Sequence, residues 1–98
     1  MPKIYQYLAF VFSFYTREHK PIHVHVKKQD RESKCDIEYL DGTLTLTWKK
    51  VRGEKPLTDA EMSVAEQLIK VKHLAIVNKW NQLFIFGKAV KREKITKL

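Results

Sequence analysis

Residues 22–48 read IHVHVKKQDRESKCDIEYLDGTLTLTW, and the alternation within this stretch decides the fold. Successive side chains of an extended chain point to opposite faces. Ile22, Val24 and Val26 therefore share one face, and His23 and His25 share the other. Gln29-Asp30-Arg31-Glu32 is polar and reads as a turn. Ser33 to Leu40 alternates again, with Cys35, Ile37 and Tyr39 facing inward. Asp41-Gly42 is the strongest hairpin signal, because a two-residue turn needs positive φ values that Asp and Gly tolerate. Beyond it, Thr43, Thr45 and Thr47 alternate with Leu44, Leu46 and Trp48.

Upstream, Lys3 to Tyr15 is aromatic, β-branched or apolar and has no Gly or Pro. It reads as one central strand, with Ile4, Leu8, Phe10, Phe12 and Phe14 on one face and Tyr5, Tyr7, Ala9, Val11 and Tyr15 on the other. Downstream, Val51 to Leu57 is a basic loop. Thr58 and Glu61 then form a capping box, in which each side chain satisfies a free backbone N–H at a helix start. The spacing of Met62, Ala65, Leu68, Ile69, Ile76, Trp80 and Leu83 predicts a helix to about Phe84, stopped by Gly87. The expected fold is α+β, a short antiparallel four-stranded meander followed by one long C-terminal helix packed on one face. One domain spans 1–86, and 87–98 is a basic C-terminal tail. The sheet face away from the helix needs a cover, and Tyr5, Tyr7 and Tyr15 point to a partner or a second copy.

The chain has 98 residues and a formal charge of +8. That length suits one core. Residues 16–34 and 49–57 each carry +3 and residues 87–98 carry +4, whereas the helical stretch 58–86 is neutral. Such a distribution suits an anionic partner, either nucleic acid or an acidic protein, or simply a solubilising surface. The single cysteine, Cys35, cannot form an internal disulfide. No leader pattern opens the chain, and the apolar stretch Tyr5 to Tyr15 is too short to span a bilayer. The expectation is a cytoplasmic protein with no membrane association.

Three histidines, His19, His23 and His25, fall within seven residues. Residues two apart on a strand lie roughly 6–7 Å apart on one face. Two imidazoles so placed can share zinc or another divalent metal, and His19 can swing back from the proline turn as a third ligand. Arg17, Lys20, Lys27 and Lys28 surround the group and disfavour a bound cation. The same cations attract phosphate, and neutral imidazole beside them is equipment for general-base work on a phosphodiester. Lys91 and Arg92 in the tail can follow a phosphate backbone. The plainer alternative makes His23 and His25 the polar face of an amphipathic strand. His73 lies at the edge of the helical stripe and reads as a boundary residue with one hydrogen bond. Trp48 and Trp80 read as packing anchors, and Cys35 as an inert small hydrophobe.

The opening Met-Pro-Lys-Ile, the aromatic strand and Tyr15-x-x-Glu18-His19-x-Pro21-Ile22-His23-Val24-His25-Val26 resemble the small bacterial domain of unknown function family 4160. The likeness runs from Met1 to Trp80, and His-x-Pro-x-His-x-His is its specific part. Many members carry two prolines before the second histidine; Ile22 replaces the second of them here. The resemblance implies a bacterial cytoplasmic protein and a gene neighbour from another small uncharacterised family, a pairing suspected of being toxin–antitoxin-like. It supplies no catalytic residue.

Two functional expectations follow from residues and resemblance together. One is a binding component of a two-protein module, with a basic surface for a small partner protein and for nucleic acid, and with self-association a further option. The other is a small histidine-dependent hydrolase or ribonuclease using His19, His23 and His25, with or without a metal.

Overall fold

The computed structural model describes residues 2–15 and 21–98. In chain order the elements are β1 (Lys3–Tyr7), β2 (Phe10–Ser13), β3 (His23–Lys28), β4 (Arg31–Leu40), β5 (Thr43–Lys50), α1 (Asp59–Phe84) and β6 (Glu93–Ile95). The strands make one six-stranded sheet ordered β5-β4-β3-β2-β1-β6. Neighbours are antiparallel except β1 and β6, which run parallel. The fold is thus α+β with a mixed sheet, and the four-stranded meander is corrected to six strands.

The two additional strands have different origins. Lys3 to Tyr15 is not one strand. Tyr7 pairs with Phe10, so Leu8 and Ala9 form a two-residue turn. Leu8 takes a φ of 54° there, in the left-handed region, and no Gly, Asn or Pro marks the place. The register of β1 also shifts between Lys3 and Tyr5. An extra residue of this kind is a bulge, and it reverses which later side chains share a face. The two-residue turn pairs Tyr5 with Phe12 and Tyr7 with Phe10, on the helix side rather than the open side expected for them, and the bulge puts Lys3 opposite Ser13 on the open face. The second addition, β6, comes from the basic tail.

The elements predicted from Ile22 onward keep their order. The turn before β4 is only Gln29-Asp30, with Gln29 at φ 56°, so Arg31 and Glu32 belong to the strand. Asp41 and Gly42, at φ 51° and 79°, make the predicted hairpin turn. The capping box is present: Glu61 N–H donates to Thr58 Oγ1 at 3.1 Å, and Thr58 N–H donates to Glu61 Oε1 at 2.8 Å.

The core lies between α1 and one face of the sheet. Register places Tyr5, Phe12, Val26 and Ser33 in one cross-strand row, and Val24, Cys35 and Trp48 in another. Ala65, Leu68, Ile69, Ile76 and Trp80 of α1 are buried in the same cluster. Burying such side chains contributes about 1.5–3 kcal/mol each before chain entropy is counted. Trp80 meets Phe14 edge-on at 5.4 Å and Phe84 at 4.5 Å, and the Trp48 indole donates to Glu66 at 3.0 Å. Both tryptophans are packing anchors. Tyr39 faces the helix side but is half exposed, and it meets α1 at His73.

Candidate site on the open face of the sheet

The face away from α1 is polar, and register makes it continuous. Lys3 pairs with Ser13, Ser13 with His25, His25 with Lys34, and Lys34 with Lys49. One row thus crosses five strands with a serine, a histidine and three lysines: Lys3 opens it, and Lys34 and Lys49 close it. At about 4.8 Å per strand the row is roughly 19 Å long. On one side of it, Gln6, Val11, Lys27 and Glu32 form the next row. On the other side lie His23, Asp36 and Thr47.

At the centre is a buried polar network. His25 is 6% exposed and Glu32 3%. His25 Nδ1 lies 3.1 Å from Glu32 Oε2, and the Tyr15 hydroxyl donates to the same oxygen. Tyr15 also stacks on the imidazole, with centroids 3.6 Å apart and planes within 4°. Burying a carboxylate costs several kcal/mol unless donors satisfy it, and these two groups do so. With Nδ1–H directed at Glu32, the ring's tautomer and orientation are fixed. His23 Nδ1 donates to the Pro21 carbonyl at 2.8 Å. Its ring is 5.5 Å from that of His25 and 5.6 Å from Trp80, so the polar network abuts the core.

The ring pair is therefore the same-side pair expected, and it is buried rather than displayed as a solvated strand face. The nearby carboxylate is Glu32, carried in by the β3–β4 hairpin. Placing Glu32 in a turn hid it from sequence reasoning. Tyr15, Ser13, Lys3, Lys34 and Lys49 were also missed. The continued alternation of β4 gave a signal for Lys34, whereas Lys3 and Ser13 depend on the unmarked turn at Leu8-Ala9.

The remaining candidates separate. Lys27 is on the open face. Lys28 is on the other, over the Phe10 ring at 5.3 Å and 3.7 Å from Glu61. Lys91 and Arg92 precede β6, which is separated from β3 by two strands. His19, Arg17 and Lys20 lie outside the described residues. Among the described residues, no group of three or more His, Cys, Asp or Glu is arranged to hold a metal ion. Lys49 Nζ sits 2.7 Å from buried Asp36, and this hydrogen bond and charge push the ammonium's pKa up. His73 Nδ1 and the Tyr39 hydroxyl share a 2.8 Å hydrogen bond, the boundary role expected.

A cavity of about 200 Å³ opens on this face and is lined by Lys3, Ser13, Tyr15, His25, Lys27 and Glu32, among others. Its floor is buried and hydrogen-bonded; two lysines stand at its rim. Among the described residues, no helix is long and apolar enough to cross a membrane. Among known families, the one described as Domain of unknown function (DUF4160) matches residues 9–81, about three quarters of the chain. No curated protein and no solved structure matches it.

Proposed function

We propose, for a chain that belongs to the Domain of unknown function (DUF4160) family, that it is a binding component whose open sheet face takes a polyanion, most simply a single strand of nucleic acid. The observation that carries this reading is the cross-strand row of Lys3, Ser13, His25, Lys34 and Lys49. Like charges placed directly opposite on neighbouring strands oppose folding. A sheet that keeps Lys34 against Lys49 is consistent with selection for an anionic ligand. A two-protein, toxin–antitoxin-like arrangement adds a small partner protein. Exposed Val71 and Leu74 on α1 offer that partner an apolar contact.

The test is fluorescence anisotropy with a labelled single-stranded RNA across a salt series. Engaging Lys3, Lys27 and Lys34 should give a slope of log K against log salt near −2, because each phosphate neutralised contributes roughly −0.7. Lys34→Gln should make the slope shallower by about one such unit. Binding indifferent to salt, or none at all, removes this reading.

One contact favours a second reading, a histidine-dependent hydrolase or ribonuclease. A buried carboxylate orienting an imidazole through Nδ1, as Glu32 does for His25, is the arrangement that makes the opposite nitrogen a general base. Glu32→Gln and His25→Asn should then each lower RNA cleavage by at least 100-fold while leaving RNA affinity within a few-fold. Parent protein that binds RNA without cutting it excludes this alternative.

A further inference from the structure

The cavity beside the lysine row has features that strand binding alone does not use. A phosphodiester in mid-strand carries one negative charge and is tethered on both sides, so it meets a row of surface lysines from above. A recess of about 200 Å³ with buried Ser13 on its floor and Lys3 and Lys27 at its rim suits a group that can enter end-on. A phosphate monoester is such a group. It projects three oxygens from a single tether and carries about −1.5 to −2 charges at neutral pH.

We propose that this cavity is a pocket for a terminal phosphoryl group, so that the protein selects strands or small esters ending in a phosphate monoester. The inference rests on the polyanion reading above and deepens it. Lys3 and Lys27 supply point charges, and the Ser13 hydroxyl supplies a donor from the floor. Glu32 lines the same cavity and would repel an anion if bare. Its Oε2 is instead masked by the Tyr15 hydroxyl and the His25 ring. Sequence separation concealed the site: its residues come from β1, β2, β3 and β4, meeting only through register.

The experiment compares two single-stranded RNAs of one sequence, one ending in a 5′-phosphate and one in a 5′-hydroxyl, by competition at fixed salt. The phosphorylated strand should bind at least ten-fold more tightly. Ser13→Ala, which removes one oxygen, and Lys27→Gln should each bring that ratio towards one. A titration of the parent with adenosine 5′-monophosphate and with adenosine, followed by amide NMR, separates the sources. Shifts at Ser13 and Lys27 with the monophosphate alone show that a small ester suffices. Equal affinity for the two strands overturns the pocket and leaves the polyanion reading standing. Failure of both strands removes the polyanion reading, and an unresponsive Ser13 and Lys27 with the monophosphate then overturn the pocket as well.

Discussion

Leu8 holds a left-handed backbone at φ 54° while its side chain is 63% exposed, so the residue gains little burial where its conformation is disfavoured. For an L-residue the left-handed region costs roughly 1–2 kcal/mol, and glycine escapes that cost. Leu8→Gly should therefore raise stability by about 0.5–1 kcal/mol, net of the extra chain entropy glycine brings to the unfolded state, as read from urea unfolding. An unchanged or lowered midpoint would show that Leu8 makes a contact worth more than its strain. Cys35 is the opposite case, a residue whose environment suits it. Burial first, and then the charges of Glu66 and Asp36, push its thiol up to about 12. With so little thiolate at pH 8, native protein should resist iodoacetamide for hours and react promptly in denaturant. Rapid labelling of the native state would contradict the packing around β4.

Elements were legible in proportion to how local their causes are. The helix could be read because its cap, Thr58 with Glu61, and its apolar stripe lie within the helix's own sequence. The Asp41-Gly42 hairpin was legible because both residues tolerate positive φ. The turns at Leu8-Ala9 and Gln29-Asp30 put Leu8 and Gln29 in the same region with no such signal, so the registers they set were hidden. The His23 and His25 pair could be read from alternation alone, whereas Glu32, Ser13 and Lys3 reach the site only through those registers. Strand β6 was illegible for another reason. It pairs with β1 across almost the whole chain and is held from α1, where Lys79 Nζ lies 2.9 Å from Glu93 and 3.3 Å from the Lys91 carbonyl. The Lys79 hydrogen bond holds the Glu93 carboxyl below its usual range. A depressed carboxylate contributes stability that is fully present above the ordinary value near 4.5 and disappears as pH falls through the lowered one. The amides of Glu93–Ile95 should thus exchange faster, relative to those of β3, as pH drops from 5 to 3. Glu93→Gln should abolish that relative change, and an identical pH response in this variant would assign the loosening to another group.

For the molecule as a whole, α1 covers one sheet face and leaves the other polar, an arrangement antiparallel sheets tolerate. The face away from α1 still buries His23, His25, Glu32 and Asp36, so it is a built layer rather than a wet surface. The proposed polyanion binding would set two demands against each other on it. Folding favours neutral or oppositely charged neighbours across strands, whereas binding a polyanion favours a row of one sign. Asp36 relieves part of the conflict by pairing with Lys49, which leaves Lys34, between His25 and Lys49 in the row, as the residue on which stability and binding disagree most. Lys34→Thr keeps a good strand former at the position and removes one like charge. It should raise the thermal midpoint at low salt, lose that advantage as salt screens the row, and weaken single-stranded RNA binding several-fold at the same time. Thermal melts at two ionic strengths, run beside RNA binding, check this directly. A variant less stable than the parent, or one that binds RNA equally well, would mean that the row is not held for an anion.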